Sequence, residues 1–228
     1  MSESDATQAF YGRWARLYDR LATAPGVRSW RSAAADALAL SPGDTVVEMG
    51  VGTGANLPHL RDRVGSDGRV IGLDLTRGML DVAARRVEAA GWRNVHLVRA
   101  DARRPPIDGP VDAVLASFVV GMFASPAAVV DGWIDRVAPG GRVALLDAAR
   151  SPHVLARPLN LAFRAFVRLT APRGGATVSA GSAPPVVRLE ERIDAADAAL
   201  SARTAWSDRA TFAGGFVRLR WGQVPDRG

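Results

Sequence analysis

The run from Asp44 to Gly54, DTVVEMGVGTG, constrains this chain more than any other stretch. Thr45 to Met49 is short, apolar and β-branched, which suits a strand buried on both faces of a parallel sheet. Gly50, Gly52 and Gly54 then interrupt it at alternate positions, so the strand enters a tight turn whose backbone another group can approach closely. Ala55 to Val64 reads as a helix opening from that turn, with its free N–H groups facing whatever lies above.

A dinucleotide turn wants G-x-G-x-x-G, so that the third glycine packs helix on strand. Here the spacing is G-x-G-x-G, and Glu48 stands two residues before the first glycine. A carboxylate there repels a pyrophosphate and suits a ligand bearing an ammonium and a sulfonium. Downstream, Arg69 to Leu73 reads as the next strand with Asp74 at its end, placed to accept hydrogen bonds from both hydroxyls of a ribose or, more plainly, to cap the following helix. EMGVGTG resembles the first motif of the class I S-adenosylmethionine-dependent methyltransferases, with Glu48 as its acidic residue; a nicotinamide enzyme or a purely structural turn are the alternatives. The resemblance implies S-adenosyl-L-methionine as cofactor, held by Glu48, Gly50, Gly52, Gly54, Asp74 and Leu75. It further implies that Asp101 accepts the adenine amino group and that the Ala102 N–H meets a ring nitrogen. Ser117 and Phe118 fall at the end of the fourth strand as cofactor-binding residues, and Phe118 to Phe123 would line the site beside the methyl group, because ligands in open α/β sheets bind beyond the strand C-termini.

The rest of the chain supplies an α/β frame for that turn, a Rossmann-like, doubly wound, mostly parallel seven-stranded sheet with helices on both faces and an antiparallel C-terminal strand. Residues 1–8 read as a disordered tail, Tyr11 to Leu21 and Trp30 to Leu40 as helices over the site, and 44–147 as the cofactor-binding core. Within the core the pattern predicts a helix over Thr76 to Ala90, strands over Val95 to Arg99 and Val111 to Ser117, a helix over Pro126 to Val137, a turn at Pro139 to Gly141 and a strand over Arg142 to Leu146. That is five alternating strands with helices between them. Residues 150–200 read as acceptor-side helices and a Gly/Ala/Ser/Pro loop or lid, including a helix over Val186 to Leu200. Strands over Ser201 to Ser207 and Phe212 to Gly222 close the sheet, so that residues 1–228 form a single domain.

Composition narrows the acceptor. No cysteine is present, which excludes disulfides, zinc–thiolate sites and a thiol nucleophile, and no metal-ligand constellation stands out. All 29 basic residues are arginines, and the formal net charge of +6 favours an anionic partner or membrane surface, unless it is merely spread over the surface. Nucleic acid is disfavoured, because no Asn/Asp-Pro-Pro-aromatic motif follows the fourth strand and no lysine-rich arm tracks phosphates. The polar N-terminus and the lack of a ~20-residue apolar run predict a cytoplasmic protein. Val154 to Leu169 carries Arg157, Arg164 and Arg168 on one helical face and Phe163, Phe166 and Leu169 on the other, an amphipathic helix that either packs on the domain or rests in a membrane interface.

From Tyr11 to Gly222 the chain also resembles the ubiquinone and menaquinone biosynthesis C-methyltransferases, through Tyr18-Asp19, ALALSPGDTVVEMGVGTG, APGGRVALLD and AGGFVRLRWG. That resemblance implies a small, apolar or lipid-like acceptor such as a quinone precursor. One departure stands out: the family's Arg-Asn pair after the fourth strand is missing from Phe118 to Phe123, which leaves a phospholipid or secondary-metabolite acceptor as the alternative. Displacement at a sulfonium needs alignment more than a fixed triad. Tyr18, Asp19 and His153, with Tyr11 beside them, are the candidates for a proton-accepting group, although each also reads as an ordinary helix or loop residue, as His59 does in the first crossover helix.

Overall fold

The computed structural model describes residues 25–151, 160–161 and 185–226. In chain order the elements are α1 (Pro25–Ala37), β1 (Thr45–Met49), α2 (Leu57–Val64), β2 (Arg69–Asp74), α3 (Arg77–Ala89), β3 (Val95–Arg99), β4 (Val111–Ser117), α4 (Pro126–Ile134), β5 (Val137–Ala148), α5 (Pro185–Arg203), β6 (Trp206–Phe212) and β7 (Val217–Gln223). They form one seven-stranded sheet in the order β3-β2-β1-β4-β5-β7-β6. The first five are parallel, and β7 runs antiparallel to both β5 and β6.

The alternation of side chains explains why the strands read as continuous apolar runs. Val46 and Glu48 of β1, Ala113 and Leu115 of β4, and Ala144 and Leu146 of β5 face α1, α2 and α3, whereas Val47, Met49, Val114, Ala116, Val143 and Leu145 face α4 and α5. Both layers are closed, so the C-terminal halves of the central strands, Val46–Met49, Ala113–Ser117 and Val143–Asp147, are buried throughout and leave no polar face to give an alternating pattern. Trp133 of α4 and Ile193 and Leu200 of α5 fill one layer, and Leu57, Leu60 and Val64 of α2 with Ala34, Ala35 and Leu38 of α1 fill the other.

Several details depart from the sequence reading, among them α1, which occupies Pro25–Ala37 rather than Trp30 to Leu40, and the last strand, which begins at Val217 rather than at Phe212. The connection from β3 to β4 contains no helix, because Pro105, Pro106 and Gly109 deny it both backbone donors and helical dihedrals. Trp133 ties this connection down by donating Nε1–H to the Ala102 carbonyl at 2.7 Å while its ring meets Phe123 edge-on at 5.9 Å. The helix predicted to reach Val137 stops at Ile134, and Val137 already pairs with Val111. The predicted turn at Pro139 to Gly141 lies inside β5 as a bulge: the partners step from Val111↔Val137 to Ala113↔Arg142, with Gly140 at φ 77° taking the left-handed conformation. Finally, Ser201 to Arg203 belong to α5 rather than to a strand. Leu200 is buried on that helix and Arg203 reaches Asp135 at 2.7 Å and Asp131 at 3.4 Å, which holds the last turn helical and moves β6 to Trp206–Phe212. Gly214 and Gly215, both at positive φ, then make the turn into β7.

The predicted helix over Tyr11 to Leu21, the segment Val154 to Leu169 apart from Asn160 and Leu161, and the candidates Tyr11, Tyr18, Asp19 and His153 lie outside the described residues. Among the described residues no helix is long and apolar enough to cross a membrane.

Candidate functional site

The strand order reverses between β1 and β4: β2 and β3 lie to one side of β1, β4 and β5 to the other. The two connections that leave β1 and β4 therefore diverge above the sheet and open a crevice at the strand C-termini, the place where open α/β sheets bind ligands. Gly50, Gly52 and Gly54 stand on one side of it, Ser117 and Phe118 on the other, and Asp74 at the end of β2.

The three glycines serve three different purposes. All have positive φ. At Gly50 a Cβ would fall 3.0 Å from Val119, and at Gly54 it would fall 2.6 Å from Leu57 and 3.2 Å from Ala83, so these two let the loop after β4 and the helices α2 and α3 close on the turn. At Gly52 a Cβ would meet nothing within 4 Å. Among the described residues no packing demand keeps Gly52 small, and the space above the turn is clear of them.

Asp74 organises that turn. One carboxylate oxygen accepts the Gly52 N–H at 2.9 Å and the other the Thr76 N–H at 2.8 Å, linking the glycine turn to the start of α3. Burial pushes the Asp74 carboxyl up, and the backbone donors from Thr76 and Gly52 hold it down against that. Asp74 thus braces the turn ahead of α3, whose N-cap position is Thr76 rather than Asp74, and each of its oxygens retains a second acceptor position. Leu75 beside it is 38% exposed, unusual for a leucine.

Asp101 sits half-exposed beyond β3, and Arg103 grips it through Nε and Nη2, at 2.9 Å and 2.6 Å to one oxygen, while also donating its backbone N–H to the other. The hydrogen bonds from Arg103 hold the Asp101 carboxyl below its ordinary value, so it is an acceptor throughout the neutral range. Ala102 is buried next to it.

Beneath the turn lies a polar network that the sequence did not reveal. Glu48 is 1% exposed, Asn56 fully buried, Arg31 of α1 5% exposed and Ser117 7% exposed. Arg31 Nη1 donates to Asn56 Oδ1 at 2.9 Å, and Asn56 Nδ2 donates to Glu48 Oε1 and, at 3.0 Å, to the Ser117 hydroxyl. Among the described residues Glu48 Oε2 has no hydrogen-bond partner. Burial pushes the Glu48 carboxyl up to about 8, with Asn56 and the more distant Arg31 opposing it. The Arg31 guanidinium also lies 5.3 Å from the centre of the Phe118 ring. Phe118 itself has φ 58°, a left-handed conformation rare for an aromatic residue, and its N–H is fixed on the Leu146 carbonyl at 2.7 Å. Asn56 carried one available signal, an amide two residues after the glycine turn; Arg31 carried none, because its partner is 25 residues away.

The wall after β4 is apolar. Val119, Val120, Met122 and Phe123 follow Phe118, with Val120 buried and Met122 half-exposed. Behind β5 stands a second buried acid missed by the sequence reading: Asp147, 4% exposed, whose carboxyl is pushed well above its ordinary value by burial and then by Asp197. Around it the pairs Arg150–Glu190, Arg218–Asp194 and Arg220–Asp197 fasten α5 to β5 and β7.

Comparison with known proteins agrees with this architecture. Residues 46–141 match a family model described as a methyltransferase domain. A demethylmenaquinone methyltransferase of Clavibacter sepedonicus is 31% identical over 65% of this chain and 60% of its own length. A nocamycin O-methyltransferase of Saccharothrix syringae is 31% identical over 60% of this chain and 51% of its own. The chain spans about half the length of the curated relatives it matches, between 29% and 60% for those named first. Among solved structures, a SAM-dependent methyltransferase from Aquifex aeolicus superposes with a TM-score of 0.65 at 17% identity, covering 91% of this chain and 97% of that one, a likeness of fold.

Proposed function

We propose that this chain, whose core belongs to the class I S-adenosylmethionine-dependent methyltransferases, transfers a methyl group to a small, apolar acceptor of the quinone-precursor kind. The single observation that carries the cofactor part is the cleared space over Gly52, bordered by Asp74 and underlain by a buried Glu48 with one oxygen unpartnered. These residues fit an S-adenosyl-L-methionine: Gly52 lets it lie against the turn, Asp74 offers acceptor positions to ribose hydroxyls, Leu75 gives an apolar edge to adenine beside Asp101, and Glu48 stands under the cationic methionine end, where ionisation of its raised carboxyl would supply negative charge. When bound, the cofactor supplies a methyl group on a positively charged sulfur, open to direct displacement.

The chain's own part is alignment. The apolar wall from Phe118 to Phe123 excludes water from the crevice and gives a flat acceptor a surface to lie on, while Phe118 is held by its N–H bond to β5 and by Arg31. Such a wall carries no titratable group, so it favours acceptors whose nucleophile is already acidic, such as a hydroquinone or phenol. The likeness to a demethylmenaquinone methyltransferase supports the quinone-type acceptor, and the likeness to a nocamycin O-methyltransferase, together with the missing Arg-Asn pair, supports a secondary-metabolite acceptor as the second reading. Mass analysis of products formed from methyl-labelled S-adenosylmethionine, with a naphthohydroquinone and a phenolic polyketide as separate acceptors, tests both. Label in either acceptor supports methyl transfer and chooses between them; release of label to water alone contradicts it.

Asp74→Asn is expected to weaken S-adenosylhomocysteine binding by about 1–3 kcal/mol, since an amide loses the charged acceptor. The same substitution disturbs the Gly52 and Thr76 hydrogen bonds, so calorimetry is repeated with the 2′,3′-dideoxy ligand. A smaller loss with that ligand places Asp74 on the ribose; equal losses leave it with the turn alone.

The arginine-bearing segment 154–169 is expected to bring the protein to anionic membranes, where a lipid-like acceptor resides; each arginine there contributes about 1 kcal/mol. Sedimentation with anionic and neutral vesicles, with and without salt, checks this. Salt-sensitive binding lost in Arg157/Arg164/Arg168→Glu agrees with the reading, and no binding to either vesicle refutes it.

A further inference from the structure

We infer that Arg31 of α1 is a positioning residue of the cofactor site, which orients Asn56 so that Glu48 is presented to the cationic end of the cofactor, and which braces Phe118 on the opposite side of the crevice. The inference rests on the cofactor reading above and extends the site to a helix that precedes β1.

A guanidinium only donates, so the Asn56 oxygen must face Arg31 and its amide nitrogen must face the other way. The two hydrogens of that nitrogen are then assigned, one to Glu48 Oε1 and one to the Ser117 hydroxyl. Without Arg31 nothing on this side obliges Asn56 to present its donors to Glu48, and the flipped amide would set an oxygen against the carboxyl. Fixing Oε1 in this way leaves Oε2 without a partner among the described residues, in a carboxyl that the protein otherwise buries completely, so that it is this oxygen that gains or loses the proton. Leaving one oxygen of a buried acid unmatched is costly unless something else meets it.

Charge points the same way. The groups that act on Glu48 are Arg31 from α1, Asp74 from β2 and Arg86 from α3. Arg86 is turned to the Thr53 carbonyl at 3.3 Å, and Asp74 is like-charged. Arg31 is the stronger of the two cations acting on Glu48, and it acts through the interposed amide rather than by direct contact. A direct ion pair would spend the charge inside the protein; an amide relay keeps the carboxylate oriented while leaving its charge for a ligand. The same guanidinium covers the Phe118 ring, so one side chain holds both the acid under the turn and the first wall residue after β4.

Calorimetry of S-adenosylhomocysteine across pH 6 to 8.5 tests the inference with the full chain, using wild type, Arg31→Met and Arg31→Lys, with thermal melting to confirm that each is folded. In wild type, affinity is expected to rise with pH as Glu48 ionises, since its carboxyl titrates near 8. Arg31→Met is expected to bind at least tenfold more weakly at neutral pH and to show the rise displaced to higher pH, because a cation that favours the carboxylate is gone. Arg31→Lys is expected to restore the position of the rise more fully than the affinity, since it returns the charge without the fork that fixes Asn56. Arg31→Met that stays folded and binds with the wild-type affinity and pH profile overturns the inference, as does a uniform loss at every pH that lysine fails to mend. Failure of wild type to bind at all removes the cofactor reading and this inference with it.

Discussion

Gly52→Val is expected to abolish cofactor binding in a protein that remains folded. The added Cβ meets no atom of the described residues within 4 Å, so the side chain enters the space above the turn rather than the packed core. Its cost to the fold is the backbone one, since φ 54° is left-handed and disfavours a β-branched residue by roughly 1–2 kcal/mol. Gly54→Val provides the contrast within the same motif. Its Cβ would lie 2.6 Å from Leu57 and 3.2 Å from Ala83, so this variant is expected to unfold or to lose several kcal/mol, as overpacked cores do at about 1–3 kcal/mol and more. Thermal melts alongside S-adenosylhomocysteine titrations check both. A folded Gly52→Val that binds normally would show that the cofactor does not lie over this turn.

The second large effect is on stability against pH. Glu48 has an ordinary carboxyl value of 4.5 in the unfolded chain and about 8 in the folded one. Below pH 4.5 both states hold the proton and the stabilising contribution is complete. Between 4.5 and 8 only the folded state keeps it, so stability falls as pH rises, and above 8 the loss levels off at up to about 5 kcal/mol. Asp74 and Asp147, also raised by burial, slope in the same direction, so the informative quantity is the difference from Glu48→Gln, which is neutral at every pH and still accepts from Asn56. Urea unfolding at intervals from pH 5.5 to 8.5 is expected to give a shallower slope for Glu48→Gln than for wild type. Parallel slopes would mean that Glu48 is ionised inside the folded protein.

How far these effects are legible in the sequence depends on the distance over which each feature is decided. The strands Thr45–Met49 and Val111–Ser117 are legible with their observed bounds because most of their positions are buried and apolar, and Val95–Arg99, a largely exposed edge strand, because its β-branched residues follow the Gly91 stop of the preceding helix. The misplaced β6 shows the opposite case. Ser201 to Arg203 read as a strand because they run directly into Trp206 and the strand it opens, yet a buried Leu200 and two aspartates, Asp131 on α4 and Asp135 just past its end, keep them helical. Those aspartates lie far away in sequence. The site divides in the same way. Glu48, the glycines and Asp74 are ordered by local spacing around strand ends, so the sequence places them. Arg31, Asn56 and Ser117 meet only after α1, the glycine turn and β4 have packed together, across 25 and 61 residues, and the left-handed Phe118 is imposed by its bond to β5. Pattern reading locates the rim of such a crevice; the buried network under it comes from the fold.

Titration of the purified chain with S-adenosylhomocysteine and, separately, with NAD decides which ligand the glycine turn holds. Micromolar affinity for the first, about −8 kcal/mol, and no heat from the second are expected. Tight binding of NAD, or no binding of S-adenosylhomocysteine by a folded protein, would contradict the cofactor reading.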